Sequence, residues 1–122
     1  DAFAHYNGLD SNITIYRVPG AFEIPGTIKQ ILIHHSPHAI VALGAIIRGE
    51  TSHFDFVAKG AIDGISEISR SSEIPIINGI LTTENTEQAM NRSEFSGVNK
   101  GWDAIEAALQ TISVYKEIQT SH

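Results

Sequence analysis

Cysteine is absent from this chain of 122 residues, and several kinds of chemistry are absent with it. There can be no disulfide framework, no thiolate nucleophile and no cysteine-based zinc site, and the composition fits a reducing compartment. Positive charge is also scarce, because eight Lys and Arg stand against fourteen Asp and Glu, for a net charge of −6. Sequence-independent nucleic-acid binding needs a basic excess, so a nucleic-acid partner is not expected.

Long apolar runs are missing as well. The longest run falls far short of the roughly 20 residues that a membrane helix needs, and no signal-peptide pattern opens the sequence. We therefore expect a soluble, cytoplasmic protein with no membrane partner. The hydrophobic content of 42% suits one globular domain spanning residues 1–122.

Strand and helix patterns alternate along the chain. Residues 12–18 ("NITIYRV"), 38–47 ("HAIVALGAII") and 74–81 ("IPIINGIL") are predicted strands. A helix is predicted within each of 21–35, 54–68, 82–92 and 99–118. The apolar stripes of three of these helices are Ile24, Ile28, Ile31 and Leu32; Val57, Ala61, Ile65 and Ile68; and Ile105, Ala108, Leu109 and Ile112. Strands separated by helices predict a parallel sheet between helical layers, a three-layer αβα sandwich.

Polar residues gather where the predicted strands end. The segments "VPGAFE" (18–23), "RGETSHFD" (48–55) and "LTTENTE" (81–87) follow the three strands. Ligands of such folds bind beyond the carboxyl ends of the strands, where helix N-termini offer N–H groups to an anion. The residues alone thus indicate an α/β domain that binds a phosphorylated small molecule, with a flavodoxin-like nucleotide binder among the candidates.

Four segments in this order carry a resemblance to a known family. They are "VPGAFEIP", "LGAIIRGETSHFDFV", "GILTTENTEQA" and "NKGWDAIEAAL". Together they resemble 6,7-dimethyl-8-ribityllumazine synthase, the penultimate enzyme of riboflavin biosynthesis. The resemblance implies a transferase that condenses 5-amino-6-(D-ribitylamino)uracil with 3,4-dihydroxy-2-butanone 4-phosphate, losing phosphate and water, without a metal or redox cofactor.

The resemblance also implies a fold and an assembly. Family members have a flavodoxin-like parallel sheet of four strands in the order 2-1-3-4, and the family's N-terminal strand has no counterpart in this chain. They form homopentamers, some of which build larger shells, and their active sites lie between neighbouring subunits.

Site residues follow from the same resemblance. His53 is the expected proton-transfer residue, since imidazole titrates near neutral pH, and Lys100 and Asp103 complete the catalytic set. The phosphate is expected at Glu50, Thr51 and Arg92, where backbone N–H groups and a guanidinium suit a dianion. The pyrimidine and its ribityl chain are expected at Ala21, Phe22, Glu23, Ala45, Ile46, Ile47 and Asn78.

Simpler interpretations stand beside these. His53 could be a helix-start histidine, Arg92 a cation at a helix end, Asp103 part of local surface electrostatics, and Phe22 a core residue.

Asn78 departs from the bulkier family residue that approaches the ligand from a neighbouring subunit. The alternative functions are a flavin or lumazine carrier and a structural shell protein on the same scaffold.

Overall fold

Two strands and three helices alternate along residues 13–47, 53–83 and 97–121, which the computed structural model describes. A short 3-10 turn, Ala21–Glu23, leads into helix α1, Ile24–His34. The elements that follow are strand β1, Ile40–Ile47; helix α2, His53–Ser71; strand β2, Ile76–Thr83; and helix α3, Gly97–Thr120.

The two strands pair in parallel, with Ile40 beside Ile76 and Ile47 beside Thr83. The ladder begins where the Ile40 N–H donates to the Pro75 carbonyl at 3.0 Å. Backbone groups of successive strand residues point to alternate edges, so Ile80 directs its N–H away from β1. The Asn78 side chain accepts that hydrogen bond at 3.0 Å through Oδ1.

Helices cover both faces of this sheet. On one face, Ile40, Ala42 and Ile76 join Ile24 and Ile28 of α1 and Ile65 of α2 in the buried core. On the other face α3 lies over β2: a Cβ placed on Gly79 would be 3.4 Å from the Ala104 Cβ. The predicted parallel sheet between helical layers is confirmed, as are the buried stripes of α1 and α2.

The ends of the helices follow from local sequence. Pro25 occupies the first turn of α1, where its missing N–H costs no intrahelical hydrogen bond. The helix closes with the His35 N–H donating to the Ile31 carbonyl at 2.8 Å. Helix α2 carries Asp55 in its first turn and Arg70 in its last, the arrangement that the helix dipole favours.

The predicted strand at residues 12–18 is wrong for this structure, since residues 13–18 belong to no helix or strand. A strand needs a ladder partner, and among the described residues β1 pairs only with β2. Ile15 and Tyr16 accordingly remain 71% and 51% exposed. The predicted strand at residues 74–81 is confirmed as β2, which extends to Thr83, and the rest of the predicted helical segment 82–92 lies outside the described residues.

The cover that α3 gives to β1 is incomplete. Leu43 is 54% exposed, although Ile40, Ala42 and Ile46 on the opposite face are buried. The reason is geometric, because α3 packs closest over Gly79 of β2 and leaves the neighbouring side chains of β1 accessible. No helix within the described ranges is long and apolar enough to cross a membrane.

Candidate active site

The turn Ala21–Glu23 holds three of the predicted substrate-binding residues between β1, α1 and α2, all of which it contacts. Ala21 packs against the buried core, whereas Phe22 is 63% exposed. Backbone hydrogen bonding fixes the turn: the Glu23 N–H donates to the Gly20 carbonyl at 3.2 Å. The Thr27 hydroxyl donates to the Glu23 carbonyl at 2.8 Å. The turn thus presents an aromatic ring and a carboxylate at the surface.

Glu23 places its carboxylate back over the preceding loop. Its Oε2 would lie 3.0 Å from a Cβ added to Gly20, so a side chain at that position would press on the carboxylate. The side chain is exposed, and a carboxylate accepts hydrogen bonds from hydroxyl groups. Glu23 can therefore serve as the acceptor that a ribityl chain requires.

The carboxyl end of β1 supplies the next three predicted residues, which differ in exposure. Ile46 is buried at 6%, whereas Ala45 is exposed, and Ile47 ends the strand. Because Ile40 turns its N–H toward β2, the alternation directs the backbone groups of Ala45 and Ile47 to the edge away from β2. These main-chain groups suit hydrogen bonding to the edge of a heteroaromatic ring.

His53 is the first residue of α2. The helix N-terminus carries unpaired N–H groups and a partial positive charge, which suits the anionic end of a phosphorylated substrate. Glu50 and Thr51, expected at the phosphate, lie in the preceding segment outside the described residues, as does Arg92.

Lys100 and Asp103 lie on α3, the layer on the opposite face of the sheet from α1 and α2. They are within about four residues of Ala104, roughly one helical turn, and Ala104 approaches Gly79 of β2. Asp103 is exposed. The structure brings this pair near the middle of β2, but in a different layer from the Ala21–Glu23 turn.

Asn78 is not at the carboxyl end of the sheet with Ala45 and Ile46. It lies beside Ala42, three residues before Ala45 along the register, a separation of about 10 Å at about 3.3 Å per residue. Its side chain is exposed. Its mid-strand place leaves the side chain accessible to a neighbouring molecule.

The sequence patterns did not identify two glycines of α2 that lie beside the Ala21–Glu23 turn and the start of α1. A Cβ added to Gly60 would lie 2.9 Å from Phe22 Cε2, and one added to Gly64 would lie 2.7 Å from Pro25 Cγ. Their spacing of four residues places them on one helix face, and this spacing is the signal that the sequence offered.

An ion pair borders these glycines on the exposed side of α2. Lys59 Nζ lies 2.7 Å from Asp63 Oδ2, and both side chains are exposed. The hydrogen bond to Asp63 and the carboxylate charge raise the pKa of Lys59 above its ordinary 10.5. Lys59 is therefore a cation at neutral pH and no candidate proton-transfer group.

Comparison with known proteins shows which family shares these features. The family model for 6,7-dimethyl-8-ribityllumazine synthase matches residues 1–116. A protein of that name from Chlorobium limicola is 43% identical over 117 residues, which are 96% of this chain and 76% of the relative.

Further relatives agree with this match. The 6,7-dimethyl-8-ribityllumazine synthase of Chlorobium luteolum is 44% identical over 118 residues, or 97% of this chain and 76% of the relative. That of Chlorobium phaeovibrioides is 45% identical over 116 residues, or 95% of this chain and 75% of the relative. Since the match covers the turn, both strands, the first two helices and most of α3, the chain belongs to the 6,7-dimethyl-8-ribityllumazine synthase family.

Proposed function

We propose that this protein condenses 5-amino-6-(D-ribitylamino)uracil with 3,4-dihydroxy-2-butanone 4-phosphate to give 6,7-dimethyl-8-ribityllumazine, phosphate and water. The observation that carries this proposal is the family match over residues 1–116, at 43% identity to the relative from Chlorobium limicola. An exposed aromatic ring, a carboxylate and a helix N-terminus close to one end of the sheet support it.

The reaction joins two small molecules through condensation and elimination steps, each of which moves protons. The amine of the uracil attacks the ketone and water leaves, giving an imine that eliminates phosphate. The resulting enol tautomerises to a carbonyl compound, and the ribitylamino nitrogen closes the second ring with loss of another water. Holding the two reactants in attack geometry can lower the barrier by up to about 7–11 kcal/mol.

Each proposed site residue has a role in these reaction steps. His53 transfers protons, which contributes roughly 10²- to 10⁴-fold when the group is a typical general acid-base. Lys100 acts near the phosphate end, and Asp103 orients or polarises the histidine. Glu50, Thr51 and Arg92 hold the phosphate. The backbone of Ala45, Ile46 and Ile47 and the turn Ala21–Glu23 hold the pyrimidine and the ribityl chain.

The active site is proposed to form between neighbouring subunits of a homopentamer in the cytoplasm. The places of three residues support a shared site. Lys100 and Asp103 lie on the opposite face of the sheet from the Ala21–Glu23 turn, and Asn78 lies exposed at mid-strand. A second subunit could bring such residues to the ligand, with Asn78 offering a hydrogen bond where the family has apolar or stacking cover.

The decisive experiment is an assay of the purified protein with both substrates. Formation of the fluorescent lumazine and release of phosphate, in equal amounts and above the rate without enzyme, are expected. A carrier would bind the lumazine or a flavin without turnover, and a shell protein would assemble without binding either substrate. Background rates from a folded, assembled preparation would overturn the proposed reaction.

A further inference from the structure

Two glycines of helix α2 allow close contact with residues at the start of α1 and in the turn before it. A Cβ on Gly60 would lie 2.9 Å from Cε2 and 3.1 Å from Cδ2 of the Phe22 ring. A Cβ on Gly64 would lie 2.7 Å from Cγ and 2.8 Å from Cβ of Pro25. Real Cβ atoms essentially never come within 3.0 Å of another heavy atom in this way, so both approaches depend on glycine.

The two contacts differ in what would move if the glycine were replaced. Pro25 belongs to the first turn of α1 and its ring has little freedom, so a side chain at residue 64 would push the helices apart. Phe22 is 63% exposed and its ring can rotate into solvent. Gly64 therefore holds the packing of α1 on α2, whereas Gly60 affects only where the ring lies.

We infer that Gly60 is a positioning residue for the condensation and acts through Phe22. The inference rests on the proposed role of the Ala21–Glu23 turn in binding the pyrimidine and ribityl chain. Gly60 lies seven residues after His53, about 10 Å along the helix at about 1.5 Å per residue. The ring of Phe22 therefore rests on α2 at about this distance along the helix from the residue proposed to transfer protons. A larger residue moves the ring away from α2 and misplaces the uracil substrate.

The test compares two identical changes in α-helices, Gly60→Ala and Gly26→Ala. Gly26 is the matched control, because a Cβ there meets no atom within 4 Å. Alanine is preferred over glycine within helices, so neither variant should have a lower Tm than the unmodified protein.

Steady-state kinetics of the full protein then separate positioning from folding. Gly60→Ala is expected to raise the KM for the uracil substrate about fivefold or more, and Gly26→Ala to leave it unchanged. The KM for the phosphorylated substrate should not change in either variant. An unchanged uracil KM in Gly60→Ala would overturn the inference, because a residue that only supports folding shifts Tm and not this constant.

A double-mutant cycle with Phe22→Ala identifies the route of the effect. If Gly60 acts through the ring, Gly60→Ala has no further effect on the uracil KM once the ring is absent. An effect that persists in the Phe22→Ala background overturns the inference while leaving the proposed site intact. If Phe22→Ala alone leaves the uracil KM unchanged, the Phe22 ring does not bind the substrate, and the inference fails while the proposed role of Glu23 remains.

Discussion

At the scale of single residues, the histidine that begins α2 is the most direct test of the proposed chemistry. We expect His53→Ala to lower kcat by roughly 10²- to 10⁴-fold, because proton transfer is lost while positioning of the reactants remains. The KM values should change little. Single-turnover and steady-state assays with both substrates measure this effect.

His38 supplies the matched control, since it is an exposed histidine in the connection between α1 and β1. His38→Ala should retain full activity. Complete loss of condensation in His53→Ala, with both substrates still bound, would show that positioning contributes much less than proposed.

Single residues also show where sequence patterns stop being informative. The resemblance singled out Phe22 and Glu23, and the structure places both at the surface of one turn. It could not reveal that Phe22 rests on Gly60, because these residues are 38 positions apart and the contact depends on how α1 packs on α2. The predicted strand 74–81 already placed Asn78 at mid-strand, but periodicity could not identify Ala42 as its neighbour on β1, since that depends on the pairing register.

At the scale of elements, the close packing of β2 against β1 depends on one glycine. A Cβ on Gly79 would lie 2.7 Å from Leu43 Cδ2 and 3.0 Å from the Ala42 carbonyl oxygen. Since the backbone oxygen cannot rotate away, Gly79→Ala is expected to lower the free energy of unfolding by about 1–3 kcal/mol. Urea denaturation followed by circular dichroism measures the change.

Gly44 is the control within the adjacent strand. A Cβ there would meet Ile24 Cδ1 at 3.8 Å, an ordinary van der Waals distance. Gly44→Ala should leave the free energy of unfolding unchanged or raise it by up to about 1 kcal/mol. Equal destabilisation by the two changes would show that loss of glycine, and not the contact at Gly79, is responsible.

The predictions of α1 and α2 were confirmed because the spacing of apolar residues within one segment was sufficient for them. The strand prediction at residues 12–18 failed because a strand also needs a second strand to pair with. Helices α1 and α2 carry stripes that bury against the sheet, so their 3.6-residue period was sufficient; Ile28 and Ile65 are each only 2% exposed. Residues 13–18 have an equally clear strand composition, but a strand forms only in a ladder. The composition of that segment therefore indicates that it can pair as a strand, but the sheet within the described residues offers it no partner.

At the scale of the whole molecule, the proposed shared site links catalysis to assembly. Specific activity should fall on dilution below the concentration at which subunits dissociate, because a lone subunit lacks the residues of its neighbour. Analytical ultracentrifugation over the same concentrations should give a fivefold multiple of the chain mass where activity is full. Constant specific activity from a monomeric species would contradict the shared site.

The hydrogen bond from the Ile80 N–H to the Asn78 side chain has a consequence for fibre formation. It engages a donor on the edge of β2 that faces away from β1, where an incoming strand would otherwise find a free amide. A strand adding there must first break this bond, whereas hydrophobic residues at position 78 would leave the donor free and add apolar surface. Asn78 therefore raises the barrier to growth of an intermolecular sheet from this edge, a property independent of any contact with a ligand.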